Sequence, residues 1–331
     1  MSASLLNNIE QRISDLQFQL QYKLQPLEDI RIEFKKRLKI FWITIAISFS
    51  ISAAIILLLY FPLVPLLLAL IIGYIIWYIY KINPIKKNLS DQFYKEIVPH
   101  IISEFLSDIY FQRDNCISEK DYFSSNLFRK STDKYQGYNL IKGNLGHTSM
   151  LFSNLHTQYK TTSTDSKGRT RTQWHTILKG VFLITDSNKN FNGEIYIFPD
   201  TAERMLGGIG RWMQEKFGSA GRGEMIYLED PNFEKRYVVY ATDPVEARYI
   251  LTPSMQEYFM ELSNRYGKDC VYASFINGKL YLALSGNFNL FTLNTSRSFK
   301  DELTTKYYVE NLVRILSAVE ILDLNTRIWN K

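Results

Sequence analysis

A long stretch without a charged residue, Ile40–Tyr80, restricts the folds open to this chain more than any other feature. One bilayer crossing needs roughly 20 apolar residues, so the stretch is long enough for two crossings. Pro62 and Pro65 lie in its middle, and a helix breaks most easily at proline, which lacks an amide donor. The parts on either side, Ile40–Tyr60 and Leu63–Tyr80, can each cross alone. The pattern therefore predicts a transmembrane helical hairpin over residues 40–80.

Basic residues flank both ends of this hairpin, whereas its turn near Phe61–Pro65 is uncharged. Positive residues beside a membrane span stay on the cytoplasmic side. Two spans with both termini in the cytoplasm are therefore expected, and the basic flanks should attract anionic membrane lipid. A re-entrant hairpin that does not fully cross is the alternative, and it leaves the sidedness unchanged. The flanking residues are Lys35, Lys36, Arg37 and Lys39 before the hairpin, and Lys81, Lys86 and Lys87 after it.

Residues 1–39 are predicted to form an amphipathic helical segment, because apolar residues recur there at three- and four-residue steps. Pro26 is expected to break or kink this helix near Leu24–Gln25. Two interpretations stay open at this point. The helix either packs on the soluble domain of its own chain, or it associates with a second copy or a partner. The stripe available for self-association is Leu6, Ile9, Ile13, Leu16 and Leu20.

Residues 88–331 are predicted to form a cytoplasmic α+β domain with a largely antiparallel sheet and flanking helices. Short β-branched and aromatic runs indicate strands, and Asn277–Gly278 is a strong hairpin signal. Helices are expected at 91–107, at Thr201–Phe217, from Pro253 to a cap at Gly267, and at Asp301–Leu322. The predicted strands are 180–186, 193–198, 236–240, 271–275 and 280–284.

The sequence carries no phosphate-binding loop, nucleophile elbow or zinc-protease motif, so no cofactor or metal is expected. The four histidines are scattered, and although His147 and His156 could face each other across a hairpin, two histidines make a poor metal site. Cys116 and Cys270 are interpreted as inert thiols. The net charge of +6 is modest for this length and does not by itself indicate a nucleic-acid partner.

Three carboxylates offer an enzymatic alternative. Asp230, Asp243 and Glu246 lie close in sequence, and paired carboxylates can act as general acid and base. Structural ion pairs with Arg236 and Arg248 would account for the same residues.

Four basic residues are candidate ligands for a lipid head group or a small anion. Segment 159–174 is a polar turn between two strand-like segments and contains Lys167, Arg169 and Arg171. Arg222 belongs to a glycine-rich stretch, 218–223, whose backbone amides could also meet a phosphate. A solvated hairpin tip and a flexible connector are the alternatives.

Ordered segments of the chain resemble a bacterial family of membrane-anchored proteins called domain of unknown function 3137. They include WHTILKGVFLITDSNKNFNG (174–193), LEDPNFEKRYVVYATDPVEARYILTPS (228–254), FINGKLYLAL (275–284) and LNTRIW (324–329). The resemblance implies a bacterial inner-membrane protein without an established activity, with a LemA-like membrane protein as its partner.

The shared segments also contain residues that are interpreted as having structural roles. Asn-Gly turns, Asp-Pro steps and the Trp174–His175 pair are interpreted as turn and core elements. The terminal Asn325, Arg327 and Trp329 are expected to close the fold, because a chain end is otherwise disordered by default. A recognition tail is the alternative.

These observations favour a non-enzymatic, membrane-anchored protein that acts as a protein-interaction or scaffolding component of an inner-membrane complex. A binding module for a lipid head group or a small anionic ligand is the first alternative. An uncharacterised enzyme that uses the clustered carboxylates is the second.

Overall fold

The computed structural model describes residues 9–59, 64–128, 130–164, 168–187, 191–200, 223–287 and 289–326. The chain divides into two compact units. One unit, called the helical unit, comprises residues 10–101 and 293–307. The other, called the sheet unit, comprises residues 1–9, 102–292 and 308–331. The fold class is α+β, as expected.

The helices of the first hundred residues follow one another with few interruptions. They are α1 (Ile9–Leu59), α2 (Val64–Trp77), a π-helical turn (Tyr78–Ile82), α3 (Asn83–Gln92), a second π-helical turn (Phe93–Ile97) and α4 (Val98–Ser103).

α1 continues through Pro26 without interruption, so a break at Leu24–Gln25 is wrong, whereas a kink there stays a prediction. An interior proline costs a helix about 3 kcal/mol or more through a lost hydrogen bond and a steric clash. Leu24 and Leu27 are buried on either side of it. Packing of these side chains compensates for the cost, because tertiary contacts supply most of the stability of helices in proteins.

Each π-helical turn comes just before a proline. The amide of Asn83 donates to the carbonyl of Tyr78 ahead of Pro84, and that of Val98 donates to Phe93 ahead of Pro99. Such a widened turn re-satisfies the backbone where proline disrupts the regular ladder. The predicted stripe of Phe93, Ile97, Ile101 and Phe105 is buried as expected, although the helix ends at Ser103 and not at residue 107.

Two helical segments, Ile9–Ile55 and Leu67–Ser103, are long and apolar enough to cross a membrane. Only 11% and 6% of their most apolar windows are buried, unlike core helices of soluble proteins. α1 and α2 contact each other through aromatic side chains, with the ring centroids of Phe41 and Trp77 5.4 Å apart. The Tyr74 hydroxyl donates to the Thr44 carbonyl at 3.0 Å. Most of the predicted turn, residues 60–63, lies outside the described residues.

A buried ion pair on α1 holds residues 295–300 against this helix. Arg31 and Glu28 pair at 2.5 Å, and both side chains are buried. Glu28 also accepts the amide hydrogen of Phe299 at 3.0 Å, and Arg31 donates to the carbonyl of Thr295 at 3.3 Å. The hydrogen bond from Arg31, aided by the Phe299 amide, lowers the pKa of Glu28 to about 2, although burial opposes the shift.

The N-terminal stripe is covered within the chain. Ile13, Leu16 and Leu20 are each 1% exposed. Leu6 lies outside the described residues. Self-association through the stripe stays a prediction, and it would require these side chains to leave the cover they have here.

Nine described strands form one antiparallel sheet in the order β1-β2-β3-β4-β9-β8-β5-β7-β6. The remaining described helices are α5 (Glu119–Ser124), α6 (Pro231–Glu234), α7 (Pro244–Ile250), α8 (Pro253–Tyr266) and α9 (Glu302–Thr326). The strands are β1 (Ser107–Gln112), β2 (Lys134–Leu145), β3 (Thr148–Thr164), β4 (Thr170–Asp186), β5 (Ile195–Pro199), β6 (Glu224–Ile226), β7 (Tyr237–Ala241), β8 (Val271–Ile276) and β9 (Lys279–Ser285).

Local sequence signals account for the turns of this sheet. Asn277 and Gly278 have φ of 51° and 72°, which a type I′ turn requires, and they join β8 to β9 as predicted. Thr252 caps α8 by accepting the Met255 amide hydrogen, and Gly267 ends that helix as expected. The predicted helix Thr201–Phe217 lies outside the described residues.

The core on one face of the sheet is built around Tyr122 of α5. Its ring stacks on Phe128 at 5.4 Å and contacts Phe182 of β4 at 5.3 Å. Its buried hydroxyl hydrogen bonds to Thr157 at 3.2 Å. Large apolar side chains thus fix α5 on strands β3 and β4.

We predict that Glu28→Gln lowers the free energy of unfolding by about 3 kcal/mol, because it leaves the buried Arg31 without its counter-charge. The stabilisation is present above about pH 4.5 and is lost as the pH falls towards 2, because the folded-state pKa lies below the ordinary value. Thermal denaturation of the detergent-solubilised chain measures the effect, and hydrogen exchange of the Phe299 amide locates it.

Glu33→Gln is the matched control for this prediction. Glu33 pairs with Arg37 on the same helix at 2.7 Å, but both side chains are about half exposed. An exposed pair contributes about 0.5 kcal/mol. Equal losses in the two variants would contradict the role given to the buried pair.

Candidate functional site

The hairpin of β3 and β4 extends beyond the rest of the sheet. β2 pairs with β3 only as far as Gln158, and β9 pairs with β4 only from Gly180 onwards. β3 and β4 continue to pair with each other as far as Thr164 and Thr170. Residues 159–164 and 168–179 therefore form a two-stranded extension, called the arm.

Gly180 marks the point where β4 joins β9. Its φ is +152°, and a Cβ atom there would lie 1.9 Å from the carbonyl oxygen of Leu284. Only glycine allows the two backbones to approach so closely. The base of the arm is therefore fixed by backbone packing.

One face of the arm carries a stack of aromatic and cationic groups. Tyr159 and His175 are directly opposite in the register, and their rings stack at 4.8 Å. Lys130 places its ammonium 4.8 Å from the centroid of the Tyr159 ring, a cation–π contact. Thr161 Oγ1 hydrogen bonds to His175 Nε2 at 2.8 Å. Arg171 pairs with Ser163 in the register and so shares this face.

The opposite face of the arm presents Trp174, whose side chain is 48% exposed. Lys160 is its direct cross-strand neighbour and is also exposed. The interpretation of the Trp174–His175 pair as a core element is therefore wrong, because Trp174 is exposed and His175 is only partly buried. An exposed tryptophan beside a cation provides apolar contact area with a charged border.

The predicted basic ligands are only partly within the described residues. Arg169 and Arg171 are both exposed near the tip of the arm. Lys167 and Arg222 lie outside the described residues. The tip can therefore contact an anion through Arg169 and Arg171, and the proposed group of four stays a prediction.

The three carboxylates of the enzymatic alternative bind backbone amides. Asp230 accepts from Asn232 N at 2.8 Å, so it caps α6. Asp243 accepts from Val245 N at 2.7 Å, so it caps α7. Each Asp-Pro step thus begins a helix, since proline fits the first helical position.

Glu246 reaches back to a distant segment. Its two carboxylate oxygens accept the amide hydrogens of Asn192 at 3.2 Å and Gly193 at 2.7 Å. A Cβ atom on Gly193 would lie 2.7 Å from Glu246 Oε2, so the glycine allows this close approach. Glu246 therefore fixes the loop that leads into β5.

The alternative of structural ion pairs finds no support among the described residues, where Arg236 and Arg248 have other partners. Arg236 donates to Ser263 Oγ at 2.7 Å and to Asn264 Oδ1 at 3.2 Å. Arg248 donates to the carbonyl of Pro244. The carboxylates instead accept amide hydrogens at two helix starts and in the loop before β5.

The histidines and cysteines occupy separate places. His147 lies in the turn between β2 and β3, while His156 pairs with Gln136 and Lys179 in the register, so they do not face each other. Burial, together with the nearby charges of Lys179 and Lys134, lowers the pKa of His156. Within the described ranges, no three His, Cys, Asp or Glu side chains are grouped to hold a metal ion.

Both cysteines are free and half-buried. Burial raises the pKa of the Cys116 and Cys270 thiols, so their reactive thiolate forms are disfavoured. This agrees with their interpretation as inert.

The terminal residues Asn325, Arg327 and Trp329 stay a prediction. The backbone of Asn325 belongs to the last turn of α9. Arg327 and Trp329 lie outside the described residues.

Residues 176–324 match the model of the family described as "Protein of unknown function (DUF3137)". This segment is similar to the DUF3137 family. The resemblance inferred from the sequence is confirmed for it, and the DUF3137 segment begins within the arm and ends in α9.

Other comparisons add little to this family match. No curated protein matches the chain. The crystal structure of the mycobacterial trehalose monomycolate transport factor A, TtfA, is similar with a TM-score of 0.29 and 8% identity. The similarity covers 62% of this chain and 87% of that one. A likeness of this size supports no inference about the fold or function of the DUF3137 segment.

The stack of Lys130, Tyr159 and His175 was missed from the sequence. The glycine turn at Gly168 offered a signal, because a hairpin centred there brings positions 159 and 175 close together. Lys130 gave no such signal, since it belongs to neither strand.

We predict that Asp243→Ala destabilises the protein by about 1 kcal/mol, within the range for loss of a helix N-cap, whereas Asp243→Asn changes stability by a few tenths. Asparagine keeps the capping oxygen and removes the charge. Chemical denaturation of the two variants tests this prediction. Equal destabilisation by both substitutions would show that the charge of Asp243 has a role beyond capping.

Proposed function

We propose that this protein is anchored in the bacterial inner membrane by a hairpin of α1 and α2, with both termini in the cytoplasm. The sheet unit then binds a membrane-protein partner through the arm, as a component of a membrane complex. The exposed arm is the observation that supports this interaction role best.

The apolar surfaces of α1 and α2 support the membrane part of the proposal. Their apolar windows are almost entirely exposed within the chain. Apolar patches of such extent are rare on soluble monomers and mark contact with lipid or another protein. The basic residues at both ends of the apolar stretch favour a cytoplasmic position for both ends. Residues 1–39, 40–80 and 88–331 would then be an N-terminal helical segment, a transmembrane hairpin and a cytoplasmic domain.

The composition of the arm supports the partner-binding part. Trp, Tyr and Arg are enriched among the residues that dominate binding energy at protein interfaces. Trp174, Tyr159 and Arg171 all belong to the arm formed by β3 and β4. Among the described residues, no strand pairs with the outer edge of β4 before Gly180. Such an edge can accept a strand or loop of another protein.

The resemblance to the DUF3137 family suggests a LemA-like membrane protein as the partner. Membrane anchoring places both proteins at one surface, which raises their effective concentration. An arm that projects from a rigid sheet can make this contact without rearrangement of the core.

Binding of a lipid head group or a small anion is the second candidate function. The exposed Arg169 and Arg171 favour it, because guanidinium groups bind phosphate in a bidentate manner. The enzymatic alternative gains no support, since Asp230, Asp243 and Glu246 each accept structural hydrogen bonds.

We predict that a fluorescent protein fused after Lys331 is active, and that a phosphatase that requires the periplasm is inactive at the same position. Two crossings return the chain to its starting side. Activity ratios of the paired fusions in intact cells measure the topology. An active phosphatase with a dark fluorescent protein would disprove the cytoplasmic assignment.

We predict that a photoreactive phenylalanine analogue in place of Trp174 crosslinks to a membrane protein of LemA type in native membranes. Mass spectrometry of the purified adduct identifies the product. A lipid adduct at this position would instead support the second candidate function.

Tyr227 provides the matched control, because it is an aromatic side chain of the same unit and is 65% exposed. We expect no enrichment of the partner when the analogue replaces Tyr227. The same proteins captured at both positions would indicate random collisions and contradict a role for the arm.

A further inference from the structure

A cavity lies at the base of the helical hairpin, within the helical unit. Its volume is about 350 Å³, which falls in the range of small-molecule sites. α1 and the segment from Trp77 to Ile82 form its walls. The residues that carry its chemistry are Glu33, Lys36, Arg37, Ile40, Trp77 and Lys81.

The cavity is bordered by three cations and one carboxylate. Glu33 is engaged with Arg37, whose Nε and Nη2 both donate to Glu33 Oε1 at 3.0 and 2.7 Å. This pair orients the guanidinium and leaves its Nη1 group outside the contact. Lys36 and Lys81 approach from two different helical segments, and both are exposed. The net charge of this border favours an anion.

The residues that line the cavity lie at the two ends of the uncharged stretch, where the chain would pass through the head-group layer of a bilayer. Ile40 is the first residue of the uncharged stretch, and Lys81 directly follows its end. Tryptophan is enriched at the interface between head groups and acyl chains. Trp77 is fixed there by its contact with Phe41, at 5.4 Å between centroids. The cavity therefore combines a mainly apolar lining with a cationic border, as the boundary itself does.

We propose that this cavity binds the phosphodiester of one anionic phospholipid. Lys36, Lys81 and Nη1 of Arg37 contact the phosphate oxygens, while Trp77 and Ile40 contact the glycerol and upper acyl region. This inference rests on the proposed membrane anchoring. It concerns the hairpin and not the arm, so it is independent of the binding partner.

The test uses the full chain with Trp77 as its single tryptophan, the other four being replaced by phenylalanine. The protein is reconstituted in phosphatidylcholine vesicles that contain a small fraction of lipid brominated at shallow acyl carbons. Bromine quenches a tryptophan that it contacts. We expect half-maximal quenching at a much lower fraction of brominated phosphatidylglycerol than of brominated phosphatidylcholine.

Charge-neutralising variants test the assigned ligands. The double variant Lys36→Gln/Lys81→Gln should raise the fraction of brominated phosphatidylglycerol needed for half-quenching about tenfold. The matched control is Lys86→Gln/Lys87→Gln, which removes the same charge close by but outside the cavity. We expect a shift of less than about threefold for this control.

The outcomes separate failure of the site from failure of the anchor. Absence of quenching by either lipid would place Trp77 outside the bilayer and disprove the membrane anchoring. Equal quenching by both lipids, or equal shifts in both double variants, would overturn the cavity as a lipid site while the anchoring stands. An excess of inorganic phosphate should leave the preference for phosphatidylglycerol unchanged. If inorganic phosphate abolished that preference, the cavity would be assigned to free phosphate instead.

Discussion

The transfer of apolar side chains out of water is the interaction on which the rest of this structure depends. Burial contributes roughly 25 cal/mol per Å² of apolar surface, but the windows of α1 and α2 are only 11% and 6% buried within the chain. The side chains of these windows can therefore gain this stabilisation only by contact with apolar groups outside the chain. Under the proposed anchoring a bilayer would provide this contact, and the basic residues at each end would fix the depth of the hairpin. Trp77 and Lys81 would then lie at the boundary of the bilayer.

Four carboxylate side chains stabilise the fold. Asp230 and Asp243 cap helices, Glu246 fixes a loop, and Glu28 holds the Phe299 amide beside Arg31. Such groups are costly to bury unless each is satisfied, so once paired they contribute to a unique structure. The exposed side chains of the arm include Trp174 and Arg171, which belong to residue types enriched at protein interfaces. This composition is the physical argument for proposing an interaction at the arm.

The sequence predicted those features whose causes are local. The turn at Asn277–Gly278 and the cap at Thr252 depend on a few adjacent residues, and both are confirmed. Of the break or kink expected at Pro26, the break was wrong because packing outweighed the local preference. The backbone partner of Glu246 could not be inferred, since Gly193 is distant in sequence and becomes close only in the folded sheet. The arm's stack was missed for the same reason, because Lys130 approaches Tyr159 from outside the hairpin.

The arm is an exposed two-stranded extension of a larger sheet. Two strands alone are marginally stable in water, and beyond Gly180 the arm loses the support of β9. The contacts of Tyr159 with His175 and Lys130 stabilise its base, and the pairing of β3 with β4 continues to Thr164. Arg169 and Arg171 lie beyond these contacts, further along the arm. A strand or loop of another protein that paired with the open edge of β4 would supply backbone partners like those that β9 supplies from Gly180 onwards.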